Sequence, residues 1–462
     1  MTATKPQVEI LDAYLAAHPD LATLEILTPD MCGILRAKRV PRAELHSFFD
    51  GGLTGPGTTC IMNSLGDCGD IFGDGQFDGD PDKSIHPVPE TLSPIPWLTP
   101  ATHQILAHWT ELDGTPLYWN PRDVLRRAAA PLQQQGYKIV VATELEFYAL
   151  ADGDSETPQP RLGKVLGTNR TQQGTQYCNP EDMAEYDGFL EAIRLACEAQ
   201  SIPATTAHLE FAPGQFEINL HHTDDVVAAC DHAVLLKRAI KGVAWQHNMG
   251  VTFMAKPFAE LPGSGLHIHG SVYDSDGNNI FVDPDSSATP PVGPRMRHAI
   301  AGLADTMAEA QAMFAPNANS YRRLQPGYFA PLTPNWGYNH RDVALRIPVS
   351  SADNLRIEHR VAGADANPYL VMACVLAGIH YGMERGKEPI DAVAEGEVLD
   401  EQPVTLATSW HQALDALESG TALQPYIGKN YWTLYHKARM DECNLFQKQV
   451  SDIDYGWYLR SV

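Results

Sequence analysis

Hydrophobic positions change their period several times along this chain, and the changes mark out its elements. Residues 8 to 18 carry a short helical pattern. Two β-type runs follow, ATLEILTP and CGILRAKRVP, parted by Pro-Asp-Met as in a hairpin. From Gly51 to Pro100 the chain is dense in Gly, Pro and Asp, which predicts long loops. ATHQILAHWTEL returns as a strand. NPRDVLRRAAAPLQQQ then opens a helix, with Asn120 as N-cap and Pro121 at the first helical position. A domain boundary is expected just before that helix, giving units 1–115 and 116–462.

In the second unit YKIVVATELEFYAL is β-rich and MAEYDGFLEAIRLACEAQ has helical spacing. ATTAHLEFAPGQFEINLHH reads as a hairpin bent at Pro213-Gly214. AACDHAVLLKRAIKGVAWQHNM is a helix and VTFMAKPF a strand. LPGSGLHIHG begins another strand, on which His267 and His269, two residues apart, point to the same side. Helices alternating with hairpin-joined strands predict an α+β fold with an antiparallel sheet. The most apolar stretch, YLVMACVLAGIHYGM, is shorter than a membrane span and is broken by His380, so it is expected to be a buried helix.

Composition narrows the partners. The net charge of -24 argues against nucleic acid and anionic membranes. The eight cysteines form no C-x-x-C pair, and the N-terminus lacks a basic start and long apolar core. A cytoplasmic location without a disulfide framework is therefore the expectation.

The strands carry acids where apolar residues belong. Glu144 and Glu146 share a face in TELEF. Glu210 and Glu217 lie on opposite arms of one hairpin, and Glu358 sits among Arg356, His359 and Arg360. One such acid is ordinarily a solvated edge charge. Five on one sheet, with His267, are unfavourable unless cations neutralise them, and this donor set suits Mg²⁺ or Mn²⁺ rather than zinc. Arg323, Arg341, Arg346, Arg356 and Arg360 form an electropositive set in the later chain. Metals facing arginines are what phosphoryl transfer requires. The chain has no G-x-x-x-x-G-K-[ST] loop, so it is not a P-loop enzyme.

In order and spacing, TELEF, HLEFAPGQFE, AKPFAELPGSGLHIHGS, NSYRRLQPGY, RIEHR and GADANPYL resemble the glutamine synthetase superfamily, and the likeness runs through nearly the whole chain. WGYNHR and RIEHRVAGADANPYL look most like the branch that γ-glutamylates organic amines. The resemblance implies a small N-terminal β-grasp domain on a larger catalytic domain. It also implies a dodecamer of two hexameric rings with active sites between subunits, in which DYGWYLRSV ties the rings together.

By the same resemblance, Glu146, Glu210 and Glu217 would hold one divalent ion, and Glu144, His267 and Glu358 the other. His269 would meet glutamate or the transferred phosphate. Gly263, Arg323 and Arg360 would bind glutamate, while Arg341, Arg346 and Arg356 would bind ATP phosphates with Ser271 near the nucleotide. Arg346 and Glu358 are the expected catalytic residues. The implied reaction phosphorylates the glutamate γ-carboxylate with ATP, and an amine then displaces phosphate.

The chain departs from ammonia-using members at one subsite. The glutamate that follows Pro-Gly-Tyr there is Phe329 here, and the aspartate of their F-D-G-S-S-I motif falls at or near Pro56. Asp50 lies too early to replace it. The residue before Gly-Ser-Gly, normally asparagine, is Pro262. An apolar wall in place of a cation trap points to an organic primary amine, with Pro262 and Phe329 beside it. No acid is evident for the second charge of a polyamine, so ethanolamine is slightly preferred; Asp67, Asp70 and Asp74 are the alternative acids for the mouth. The same residues leave room for a true glutamine synthetase with a rearranged ammonium site. A non-catalytic relative is disfavoured, because all the ligand and arginine positions are filled. Between Tyr381 and Tyr426 there is no tyrosine for adenylylation.

Overall fold

A computed structural model of the chain describes residues 5–68, 79–151, 157–172, 174, 177–327, 329–399 and 404–462. Among them the strands form two sheets. The first uses β1 (Thr23–Pro29), β2 (Leu35–Pro41), β3 (Leu53–Pro56), β4 (Asp82–Pro87), β5 (Ser93–Pro94) and β6 (Thr102–Thr110), in the order β2-β1-β6-β4-β3 with β5 beside β6. β1 and β2 form the expected hairpin, but its turn is longer than Pro-Asp-Met. Asp30 and Ile34 close it by a backbone hydrogen bond of 3.0 Å, and the Asp30 carboxylate accepts from the amides of Cys32 and Ile34. The central β1–β6 pair is parallel.

The second sheet follows the helix Pro121–Gln134, which Asn120 caps by accepting from the Arg122 amide at 3.1 Å. It contains β7 (Lys138–Leu150), β8 (Ala204–Leu209), β9 (Gln215–Leu220), β10 (Gly250–Thr252), β11 (Leu266–Tyr273), β12 (Trp336–Tyr338), β13 (Leu345–Ile347) and β14 (Ile357–His359). Their order is β12-β13-β14-β11-β7-β9-β8, with β10 also on β7, and every pairing except β12–β13 is antiparallel. Gly214 at φ +70 makes the tight β8–β9 turn. The expected strand VTFMAKPF is shorter than its apolar pattern, because Phe253 turns inward against Phe147 and Pro257 has no amide to extend a ladder.

Alternation along the strands separates two faces. Leu145, Phe147, Phe216, Ile218, Leu266 and Ile268 are buried on one face, beneath the helices Val226–Gln246 and Pro368–Arg385. The latter helix is the apolar stretch that the sequence marks as buried. Behind the sheet Arg122 makes a bidentate pair with Asp231, at 2.9 and 2.8 Å, and the Tyr369 hydroxyl donates to the same carboxylate at 2.6 Å. This paired network fixes three helices against one another. Asn367, at the start of the helix Pro368–Arg385, ties it to the β1–β2 turn, donating to the Asp30 and Met31 carbonyls at 3.0 and 3.2 Å. No helix among the described residues is long and apolar enough to cross a membrane.

Candidate active site

The opposite face of the second sheet carries the chemistry, and strand register assembles it. Directly paired residues of an antiparallel ladder share a face. On β7, Glu144 pairs with His267 of β11 and Glu146 with Glu217 of β9. Glu217 pairs in turn with His208 of β8. Toward the other edge, His269 pairs with Glu358 of β14, and Glu358 with Arg346 of β13. Four carboxylates, three imidazoles and a guanidinium thus converge from six strands. Glu210 stands just past β8, two residues from His208 and on the same side.

Contacts within this row are close. Glu144 accepts hydrogen bonds from His267 Nδ1 at 3.2 Å and His269 Nε2 at 2.8 Å. Glu358, 1% exposed, accepts from Arg346 Nη1 at 2.7 Å on one oxygen and from Arg360 Nη1 on the other. Glu144, His267 and Glu358 therefore come together as one potential ligand group. The other expected set divides differently. Glu217 lies with Glu146 and His267 in one group, and with Glu210 and His208 in a second. His208, whose Nε2 is 3.1 Å from Glu210 Oε1, was not anticipated. Its only signal in the sequence is the same two-residue spacing that drew attention to TELEF.

Electrostatics distinguish the acids of the row. Burial pushes the Glu217 carboxyl up to about 9, and Glu144, Glu146 and Glu210 reinforce the shift. Burial would raise Glu144 too, but the hydrogen bonds from His267 and His269 outweigh it and hold that group low. Glu358 is likewise buried, yet Arg360 and the histidines bring it down to about 2. The cluster thus keeps a proton on one acid unless a cation takes its place. Carboxylate oxygens with an imidazole fit divalent ions of the magnesium and manganese type.

The loop of residues 261–265 closes one end. Its carbonyls are held in sequence: Leu261 by Lys256 Nζ at 2.6 Å, Pro262 by the Tyr148 hydroxyl at 2.7 Å and Gly263 by Gln215 Nε2 at 2.9 Å. The Gly265 amide donates to Glu146 at 2.8 Å. Arg323, expected to bind glutamate, is buried and donates to the Val361 and Arg360 carbonyls at 2.8 and 3.3 Å. It braces the chain leaving β14, directly behind Gly263.

At the other end a cavity of about 1000 Å³ opens beside the cluster, lined by Glu144, His269, Ser271, Asn354 and Arg356 among others. Arg356 Nε donates to His269 Nδ1 at 3.1 Å, and Ser271 Oγ to the Leu355 carbonyl at 3.0 Å. Arg341 is exposed, and its carbonyl accepts from Arg360 Nε at 3.1 Å. Phe329 has φ +54, and its ring stacks near Phe211. Of the acids offered for the mouth, Asp67 accepts from the Cys68 amide at 2.7 Å, while Asp70 and Asp74 lie outside the described residues.

Comparison with known proteins identifies the family. The family model for the glutamine synthetase catalytic domain matches residues 119–458. The chain is similar to γ-glutamylputrescine synthetase of Escherichia coli K12, with 37% identity over 97% of this chain and 94% of the relative. It is also similar to γ-glutamylethanolamide synthetase of Streptomyces coelicolor, with 31% identity over 98% of this chain and 95% of that one. Among solved structures, a GmaS–ADP complex superposes with a TM-score of 0.81 at 23% identity, covering 97% of this chain and 99% of that chain.

Proposed function

The chain belongs to the glutamine synthetase family and is an ATP-dependent ligase, and from that premise we propose that it joins the γ-carboxylate of L-glutamate to an organic primary amine. Enzymes of this family use ATP and divalent metals. The single observation that carries the reading is the sheet face itself. It gathers acids close enough to share an ion, beside a cavity large enough for a nucleotide; by the family resemblance, Phe329 stands where ammonia-using members have a carboxylate. Relatives named for putrescine and ethanolamide products support an organic acceptor.

In this reading the γ-carboxylate attacks the terminal phosphorus of ATP, releasing ADP and leaving γ-glutamyl phosphate. The amine nitrogen then attacks the acyl carbon, phosphate departs, and the amine gives up a proton. Glu144, His267 and Glu358 would hold one Mg²⁺ or Mn²⁺, and Glu217 with Glu146 and Glu210 another. When bound, the ions offset charge on the phosphoryl group. The chain's own part is positioning. Glu358 holds Arg346, and His269 accepts from Arg356; in this reading both arginines, with Arg341, would meet the phosphates, and Ser271 would lie near the nucleotide. Gly263 and Arg323 shape the glutamate subsite, with Arg360 and His269 next to the reacting carboxylate. The same reading takes 1–115 and 116–462 as the two structural units, a cytoplasmic location, and a dodecamer with active sites between subunits.

The test offers ammonium, ethanolamine and 1,4-diaminobutane separately to the purified protein with ATP, Mg²⁺ and glutamate, and measures phosphate release. An organic amine should support the higher kcat/KM. Best turnover with ammonium would make the protein a true glutamine synthetase instead.

A further inference from the structure

We propose that the first sheet and the helix before it carry a site for a zinc-class divalent ion, held by His18, Asp20 and His103. The carboxylate cluster stands on the other sheet, and the proposal does not depend on the ligase reading. His103 is its anchor. It sits on β6, between Leu24 of β1 and Pro94 of β5. Only 3% of it is exposed, on a strand face that it shares with Ile105 and Trp109. A buried imidazole needs partners for both ring nitrogens. The Tyr14 hydroxyl meets Nδ1 at 2.6 Å, and Nε2 makes no hydrogen bond among the described residues.

The other two donors come from the chain leaving the helix Lys5–Ala17. Tyr14 and His18 are four residues apart and so lie on one side of it. Pro19 has no amide to extend the helix. The Leu21 amide returns to the His18 carbonyl at 3.2 Å, closing a turn that contains Asp20. Arg42 clamps this turn, donating to the carbonyls of Leu15, His18 and Leu21 at 3.3, 3.0 and 3.3 Å. The His18 ring packs 4.3 Å from that of Tyr14 and 5.0 Å from that of His103. One donor atom from each of His18, Asp20 and His103 lies within 4.8 Å of the others. A tetrahedral ion about 2.1 Å from each would hold them about 3.4 Å apart. His18 is half-buried and Asp20 exposed, so both have room to close on the fixed His103. Two imidazoles and one carboxylate suit zinc-class ions rather than magnesium, with a fourth position left for water. With the ion on Nε2, His103 would keep its proton on Nδ1, facing the Tyr14 oxygen. Ligating histidines ordinarily make such an outer hydrogen bond. The ion would pin the end of the helix to β6.

The experiment takes tag-free protein in a large excess of Mg²⁺, to fill the carboxylate cluster, and adds Co²⁺ as a spectroscopic substitute for zinc. Four-coordinate Co²⁺ with nitrogen ligands absorbs strongly in the visible, and six-coordinate Co²⁺ among oxygens only weakly. The native protein should develop a strong band that saturates at about one Co²⁺ per chain, and Zn²⁺ should erase it. His18→Gln and Asp20→Asn should each weaken this binding by about tenfold or more, since losing even an outer partner costs that much. Phosphate release with Mg²⁺ should be unchanged in both variants, which reports that they are folded. No strong band in the native protein, or the same band at the same affinity in His18→Gln and Asp20→Asn, overturns the inference. A band that survives in His18→Gln and disappears in Glu144→Gln assigns the ion to the carboxylate cluster and overturns it too.

Discussion

Arg346 and Glu358 face each other across adjacent strands, with Nη1 2.7 Å from Oε2. Arg360 holds the other carboxylate oxygen, so a proposed ion ligand is also the counter-charge of two guanidinium groups. Removing it therefore has two consequences. Glu358→Ala should abolish phosphate release and also lower thermal stability, because leaving a buried charge unpaired costs on the order of 3–5 kcal/mol. Glu358→Gln keeps an acceptor oxygen and should melt closer to the native protein, again without turnover. Both are checked by calorimetry and phosphate assay. Turnover in Glu358→Gln would remove Glu358 from the ion site.

A side chain at Gly263 has no room. A Cβ built there would stand 2.5 Å from the Ala255 carbonyl and 2.7 Å from Arg323 Cγ. Gly263→Ala must therefore displace Arg323, which braces the chain at Arg360 and Val361. A rise in KM for glutamate of about tenfold is expected, since shifts of this size at a positioning group carry such costs. KM for ATP should change less. Equal rises in both would indicate general disruption rather than a glutamate subsite.

Glu217 predicts a proton signature for ion binding. Without a cation its carboxyl is raised by burial and by three neighbouring acids to about 9, so it is protonated at pH 7. An ion must displace that proton. Mn²⁺ titrations at pH 7 in buffers of different ionisation enthalpy should show release of about one proton per chain, and affinity should rise with pH up to about 9. The effect on the metal-free fold has the opposite sign. Glu217's contribution to stability is fully present below its unperturbed value of 4.5 and is lost as pH rises toward about 9. Glu217→Gln should remove both effects. Buffer-independent binding enthalpies in the native protein would contradict this.

These residues show which parts of the site are legible in a sequence. Strand spacing reveals Glu144 and Glu146, or His267 and His269, because the two-residue period puts them on one face before any partner is known. Cross-strand register is less visible. Nothing local says that Glu217 stands opposite both Glu146 and His208, so the division of the acids between two groups emerges only from the sheet. Backbone bracing is hidden as well. Arg323 looks like a free cation in NSYRRLQPGY, yet its donors go to main-chain carbonyls that the sequence does not bring near it. The elements themselves were easier, since Asn120 and Pro121 announce a helix start and Pro213-Gly214 a turn through local chemistry alone.

Phe329 offers the sharpest test of acceptor choice. Its ring stacks near Phe211, and its backbone is in the left-handed region, where β-branched residues are strained. Glutamate and leucine are unbranched at Cβ, so neither adds that strain beyond what phenylalanine already carries. Phe329→Glu replaces an apolar wall with a carboxylate, which should favour a small hydrated cation over an alkyl chain. The ratio of kcat/KM for ammonium to that for the organic amine should rise by about tenfold, the scale of one charge-assisted hydrogen bond. Phe329→Leu separates the two causes: it removes the ring without adding charge, and should weaken amine use while gaining little for ammonium. If both variants shift the ratio equally, ring loss alone accounts for the change and the added charge has no role. If neither shifts it, Phe329 does not border the path of the incoming amine.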